Sequence, residues 1–261
     1  MEIQLENKVA LVTGASSGIG KQIVQTFHDL GAQVILFDVD AARAHDVAAV
    51  MGLTDAQGLV VEGDVTNPAD SSRAVQQAVA AYGHLDILIN SAGISNPMAS
   101  EDMLPSLWNQ IIAVDLSGVF FCSQAAARQM IQQGGGNIVS ISSISAALGF
   151  PMRAPYCAAK AGVEALTRVL AAEWAAHHIR VNAVAPGYIM TDLVQKNIER
   201  GVVNVETVSQ RTPLGRLGEP SEIANVIAML VSDYGSYITG ETIYVDGGYT
   251  ATAASGHSTH G

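Results

Sequence analysis

Tyr156 and Lys160 stand four residues apart in the run PYCAAKAGVEAL, and Ser143 precedes the tyrosine by thirteen residues. A spacing of four places two side chains on one face of a helix. A phenol with an ordinary pKa of about 10 is no base near neutrality. An adjacent ammonium stabilises the phenolate, and such a pair can take a proton from a reacting hydroxyl or return it. A nearby serine hydroxyl can hold the same reacting oxygen. A second cluster is rich in glycine: Thr13-Gly14-Ala15-Ser16-Ser17-Gly18-Ile19-Gly20. Glycines let a backbone turn tightly and approach a pyrophosphate, whose charge suits the free N–H groups at a helix start. Asp38 follows Gly20 by eighteen residues. A carboxylate there accepts both hydroxyls of an adenosine ribose and repels a 2′-phosphate. Its neighbours Phe37 and Val39 supply no cation, so the pattern selects NAD over NADP. Each motif alone has a bland reading: a solvated helix face, an ordinary turn, a surface carboxylate. Their placement decides.

Short apolar runs alternate with longer amphipathic ones. Strands are expected at Val9–Thr13, Gln33–Asp38, Gly58–Glu62, Leu85–Asn90, Asn137–Ile141, Arg180–Val184 and Glu241–Val245. Between them Ile19, Ile23, Phe27 and Leu30 recur at helical spacing, as do Val163, Leu166, Leu170 and Trp174. Further helices are expected near 41–51, after Asn67-Pro68, at 107–132 and at 222–232. Continuously apolar strands separated by helices imply a parallel sheet covered on both faces, with ligands at the carboxyl ends of its strands. The fold class is therefore α/β: a single doubly wound, seven-stranded parallel sheet. Residues 1–249 read as one domain. Within it, the irregular stretch at about 187–213 has the length of a lid. Residues 250–261 read as a flexible tail.

Composition narrows the function classes. The 261 residues include 13 Lys+Arg and 24 Asp+Glu, a formal charge of −11. That balance opposes nucleic acid or an anionic membrane as a partner. No apolar stretch approaches the roughly 20 residues of a membrane helix, and the first residues lack the pattern of a signal peptide. Two cysteines, Cys122 and Cys157, exclude a disulfide scaffold and suit a reducing, cytoplasmic setting. No metal site is expected: His177-His178 lacks further ligands, and His257 and His260 lie in the tail.

Over about residues 5–249 the chain resembles the short-chain dehydrogenase/reductase family, whose fold is the Rossmann type. The resemblance is carried by TGASSGIG at 13–20, Asp64-Val65, Asn90-Ser91-Ala92-Gly93, Ser143, Tyr156 to Lys160, Arg180-Val181-Asn182 and Pro186-Gly187. It implies an oxidoreductase of an alcohol/carbonyl pair, with Tyr156 as acid/base, Ser143 orienting the substrate oxygen and Lys160 tuning and anchoring. It assigns Gly14, Ser17, Gly18, Ile19 and Gly20 to the pyrophosphate and its flanking riboses, and Asp38 to the adenosine ribose. Asp64 and Val65 are assigned to the adenine, and Asn90, Ala92 and Gly93 to the floor beneath the cofactor. Lys160 is assigned to the nicotinamide ribose, and Pro186, Gly187, Ile189 and Thr191 to the carboxamide end. It further implies a homotetramer built partly by the helices near 107–132 and 155–177. The chain departs from the family at Asp115, in IIAVDLSGV, the position the resemblance makes the fourth catalytic residue, where asparagine is usual and its backbone carbonyl holds a water of a proton relay to the lysine; if only the carbonyl matters, aspartate serves. An ionised Asp115 beside Lys160 would screen the ammonium and move the pH optimum of oxidation upward; as a harmless stand-in it would do nothing.

The substrate wall is expected from Ser95–Met98, Ile144–Arg153 and the lid after Tyr188, which mix small and apolar residues with few charges. Arg153 could pair with a carboxylate but also suits the rim. A small neutral polyhydroxy compound or secondary alcohol fits this wall, and Asn90-Ser91-Ala92-Gly93, Asp38 and the closing Asp246-Gly247-Gly248-Tyr249-Thr250 resemble the family's bacterial sugar and polyol dehydrogenases. The rivals are a 3-oxoacyl-[acyl-carrier-protein] reductase using NADPH, which Asp38 and the net acidity oppose, and a non-catalytic dinucleotide-binding scaffold, which the joint presence of Ser143, Tyr156 and Lys160 opposes.

Overall fold

The computed structural model describes residues 3–201 and 203–252. Seven strands form one parallel sheet: β1 (Val9–Thr13), β2 (Gln33–Asp38), β3 (Gly58–Glu62), β4 (Ile87–Asn90), β5 (Gly136–Ile141), β6 (Ile179–Pro186) and β7 (Thr242–Val245). Their spatial order is β3-β2-β1-β4-β5-β6-β7, and every neighbouring pair is parallel. The chain leaves β1 toward one edge and resumes at β4 toward the other. The strand ends therefore diverge between β1 and β4, which opens a crevice at their carboxyl ends.

Alternation along each strand divides the core in two. Ala10, Val12, Val34, Leu36, Ile87 and Ile89 face one layer, packed by Ile23, Val24 and Phe27 of α1 (Gly18–Asp29), Ala44 and Val47 of α2 (Ala41–Val50) and Ile223 and Ile227 of α9 (Pro220–Val231). Val9, Leu11, Ile35, Phe37 and Leu88 face the other. There lie Ala74, Val75 and Ala78 of α3 (Pro68–Tyr82), Cys122, Ala126 and Met130 of α5 (Val119–Gln133) and Leu170 of α6 (Ala154–Trp174). Because both faces are buried, the strands need no polar side, which is why they read as unbroken apolar runs.

Three expectations are corrected. The helix expected over 107–132 is broken into α4 (Pro105–Ile112), a π-helical segment at Ala113–Gly118, and α5. The stretch expected to be irregular contains α7 (Asp192–Glu199) and α8 (Val205–Arg211). Thr191 and Asn204 start these two helices by accepting hydrogen bonds from the N–H groups of Val194 and Thr207. The third concerns apolar length: Pro105–Gln133 is long and apolar enough by composition to span a membrane, although half of it is buried within the protein. Part of its apolar character faces the sheet. The tail residues 253–261, with His257 and His260, lie outside the described residues.

Candidate active site

The glycine turn joins β1 to α1. Gly14 has φ +64°, and a Cβ on it would lie 2.7 Å from Ala92 Cα. A Cβ on Gly20 would lie 2.2 Å from the Gly14 carbonyl oxygen. The turn is thus pressed against the end of β4 on one side and folded on itself on the other, and only glycine fits at either place. Ser17 occupies the N-cap position of α1, but its side chain does not cap, and the first turn contains no acidic residue. The first N–H groups of α1, with Gly18 and Ile19 among its leading residues, are left for an anionic ligand. These features fit a pyrophosphate.

Asp38 closes β2 with its carboxylate already oriented. Its oxygens accept hydrogen bonds from Ser16 N (2.9 Å) and Asp40 N (3.0 Å). It is therefore fixed beside the glycine turn, where a ribose diol would meet it. Asp64 and Val65 follow β3: Asp64 is exposed and Val65 buried, the latter against Gly118. Asp64 accepts from Thr66 N and donates its own N–H to Asp70. That bond comes first among the influences holding the Asp70 carboxyl below its ordinary value.

At the end of β4, Asn90 directs its amide group into the core, donating to Ser123 Oγ (3.0 Å) and Ser140 Oγ (3.1 Å). Its side chain braces β4 against α5 and β5. Thr13, a residue that motif reasoning left without a role, accepts from both Ser91 N and Ala92 N at 3.0 Å. This bond fixes the crevice floor to the glycine turn. Beyond it Gly93 lies above two charges: a Cβ there would stand 3.1 Å from Asp115 Oδ2 and 3.5 Å from Lys160 Nζ.

Asp115 lies in the π-helical segment and is fully buried. One oxygen accepts the Ile94 N–H at 2.8 Å. The other stands 3.4 Å from Lys160 Nζ, within ion-pair range but not aligned as a hydrogen bond. Burial pushes the Asp115 carboxyl above its ordinary range, and the Lys160 charge and the Ile94 N–H pull it partway back. Lys160, only 4% exposed, donates to the Ile141 carbonyl at 2.9 Å and sits 5.5 Å from the centre of the Tyr156 ring. Tyr156 occupies the first turn of α6 and is partly exposed. Among the described residues no partner takes its hydroxyl, so the phenol is available to a ligand. Ser143, two residues beyond the end of β5, is extended at φ −168° and accepts the Ser145 N–H at 3.1 Å. Its hydroxyl proton remains available to a substrate oxygen. Strand end and helix start thus bring Ser143, Tyr156 and Lys160 to one end of the sheet.

The lid begins at the end of β6. Gly187 N donates to Val245 O, and a Cβ on Gly187 would strike Asp246 Cα at 2.8 Å. Ile189 is buried and bridges to Gly218. The methyl group of Thr191 lies near Gly18, 3.5 Å from where a Cβ would stand. The lid therefore starts directly against the glycine turn, with Pro186 at the last position of β6. Over the ends of β5, β6 and β7 the rings of Phe150, Tyr188 and Tyr249 cluster, Tyr249 lying 6.5 Å from Phe150 and 5.6 Å from Tyr188. The Arg211 guanidinium covers Tyr249 at 4.5 Å. Tyr249 belongs to the closing segment 246–250 but has no place in the wall expected from the sequence; its signal is an aromatic residue just after Asp246-Gly247-Gly248, whose turn Asp246 fixes by accepting from Gly248 N and Thr250 N.

Known proteins resemble this arrangement over nearly the whole chain. A family profile described as Enoyl-(Acyl carrier protein) reductase matches residues 14–250. The NAD-dependent glycerol dehydrogenase of Listeria innocua is 38% identical, across 95% of this chain and 96% of its own. The 3-oxoacyl-[acyl-carrier-protein] reductase of Thermotoga maritima is 40% identical, across 94% and 99%. The crystal structure of a short-chain type dehydrogenase/reductase from Mycobacterium marinum superposes with a TM-score of 0.89 at 36% identity, covering 96% of this chain and 98% of that one. With the glycine turn, the Ser143–Tyr156–Lys160 cluster and these likenesses together, the chain belongs to the short-chain dehydrogenase/reductase family, oxidoreductases that interconvert alcohols and carbonyl compounds.

Proposed function

We propose that this protein oxidises a small secondary alcohol, of the polyol or sugar type, reversibly to its ketone with NAD. The observation that carries the reading is the Lys160 ammonium held 5.5 Å from the Tyr156 ring at the mouth of the crevice. When bound, an oxidised nicotinamide supplies the acceptor for the hydride leaving the carbinol carbon. Ser143 donates a hydrogen bond to the substrate oxygen and orients it. The Tyr156 phenolate takes the hydroxyl proton, and the oxygen–hydrogen electron pair becomes the second bond of the carbonyl. Lys160 favours that phenolate and reaches toward the nicotinamide ribose, while Asp115 holds the lysine from below. Gly14, Ser17, Gly18, Ile19 and Gly20 cradle the pyrophosphate, and Asn90, Ala92 and Gly93 form the floor. Asp64 and Val65 flank the adenine. Pro186, Gly187, Ile189 and Thr191 enclose the carboxamide end. Phe150, Tyr188 and Tyr249 form the outer wall of the substrate site, with the lid over 187–213.

Asp38 supports NAD rather than NADP: its fixed carboxylate would repel a 2′-phosphate. The glycerol dehydrogenase relative acts with NAD by name. Exposed apolar side chains on α4, α5 and α6, Trp108, Ile131 and Val169, support a homotetramer, and two free cysteines support a reducing, cytoplasmic setting. The test is a panel of polyols, sugars and hydroxy-ketones with NAD and NADP, followed by absorbance of the reduced ring. Wild type should turn over with NAD, and Tyr156→Phe should lose about 10²–10⁴-fold in kcat. Full activity in Tyr156→Phe would overturn the mechanism, and a preference for NADP would overturn the cofactor reading.

A further inference from the structure

Tyr156, Lys160 and Glu164 follow one another at intervals of four on α6, so the stripe that carries the catalytic pair continues one turn deeper. Glu164 uses a single oxygen, Oε1, to accept two hydrogen bonds from residues remote in sequence. Ser142 Oγ donates at 3.1 Å and Tyr244 OH at 2.9 Å. Ser142 is almost fully buried and directly precedes Ser143. Its backbone N–H is tied to Val184 of β6 at 2.7 Å, and its hydroxyl also lies 3.4 Å from the Lys160 carbonyl. Tyr244 lies in β7, the edge strand, opposite Ala185 of β6. Two residues later the same strand enters the Asp246 turn that delivers Tyr249 to the aromatic wall.

We infer that Glu164 is a positioning residue: its carboxylate joins the catalytic helix to the Ser143 segment and to the edge strand, and so fixes Ser143 and the aromatic wall relative to Tyr156. The inference rests on the proposed reaction for its kinetic consequence. The charged groups around this contact are Asp246 and Arg168, both of which act on Tyr244. Burial first, and then the hydrogen bond and charge of Glu164, push the Tyr244 hydroxyl up to about 12. The phenol therefore remains a donor at neutral and moderately alkaline pH. Edge strands gain ladder bonds on one side only, so β7 depends more than its neighbours on contacts of this kind. A displacement near 1 Å at the reacting groups is enough to slow a reaction severely.

The experiment compares wild type, Glu164→Ala, Glu164→Gln and Ser142→Ala. Two readouts are used: steady-state kinetics with the best alcohol of the panel, and hydrogen exchange of residues 142–148 and 242–250. Glu164→Ala should lower kcat about tenfold, leave the Kd for NADH within about twofold, and speed exchange in both segments. Glu164→Gln keeps an acceptor oxygen and should recover kcat to within about threefold of wild type. Ser142→Ala should reproduce part of the loss and combine non-additively with Glu164→Ala. If Glu164→Ala does not fold, Ser142→Ala together with Tyr244→Phe must give the same kcat loss. Unchanged kcat and exchange in these variants, or a glutamine that fails to recover the alanine defect, would overturn the inference. A wild type inactive on every alcohol would instead sink the proposed reaction, and exchange alone would then decide the role of Glu164.

Discussion

The two halves of the crevice are built on different principles. The β1–β4 half is shaped by backbone. Gly14 and Gly20 admit no Cβ, Thr13 Oγ1 clamps two consecutive N–H groups, and Asp38 is fixed by two more. The β5–β7 half is shaped by side chains that reach across elements: Glu164 to Ser142 and Tyr244, Tyr249 to Phe150 and Tyr188, Arg211 to Tyr249. A half made of backbone geometry presents one invariant shape, which suits a constant partner such as a dinucleotide. A half made of side chains can change its lining without changing its fold, and there substrates can be told apart. The difference teaches that cofactor binding and substrate choice should be separable by mutation.

The largest break should come from Gly20→Ala. Its methyl group would meet the Gly14 carbonyl at 2.2 Å, so the turn must move. NADH affinity should fall at least about a hundredfold, with a stability loss of about 2–4 kcal/mol, measured by nicotinamide fluorescence and thermal unfolding. An alanine variant with wild-type affinity would refute the backbone account of that half. Tyr249→Ala should do the reverse. It removes the centre of the aromatic wall, so KM for the alcohol should rise about tenfold, or roughly 1.4 kcal/mol, while the Kd for NADH stays unchanged. A matching loss in NADH binding would show that the halves are not separable.

Asp115 lies where the halves meet, and its effect should be the smallest. Replacing it by asparagine removes the carboxylate that screens Lys160, so the pH optimum of oxidation should move to lower pH, by about one unit or less. Overlapping pH–rate profiles would make Asp115 a neutral substitute. Stability offers a second check. Burial raises this carboxyl in the folded state, so the native protein binds its proton more tightly than the unfolded chain does. The stability Asp115 contributes is complete below its ordinary range and declines as pH rises through its raised value. The Tm of Asp115→Asn relative to wild type should therefore increase with pH across that window.

Much of this could be read in the sequence, for local reasons. β2 and β3 have the bounds that their apolar runs mark, because a strand buried on both faces announces itself residue by residue. β4 is shorter than its run: Leu85 N is taken by the Gln133 side chain, and the Asp86 carboxylate pairs with Lys8 and Val9 N. The Gln133 side chain, which also donates to the Leu85 carbonyl, withdraws Leu85 from the ladder, while the Asp86 backbone still donates to Val9 O and accepts from Asn137 N just ahead of the strand. The helices α7 and α8 fall in a stretch that reads as irregular although Thr191 and Asn204 are ordinary cap residues, because helices of eight and seven residues make only about two turns each, too few to mark a period along the chain.

The sequence by itself determined the alternation of strand and helix, the glycine turn and the shared face of Tyr156 and Lys160. Each is a property of residues within a few positions of one another, where spacing along the chain is spacing in space. Only the tertiary structure decided that Asp115 lies against Lys160, that a π-helical turn carries it there, that Glu164 joins three elements and that Tyr249 completes the aromatic wall. These contacts cross 45 positions in one case and 80 in another. At that separation distance is set by how the layers pack, which no local pattern records.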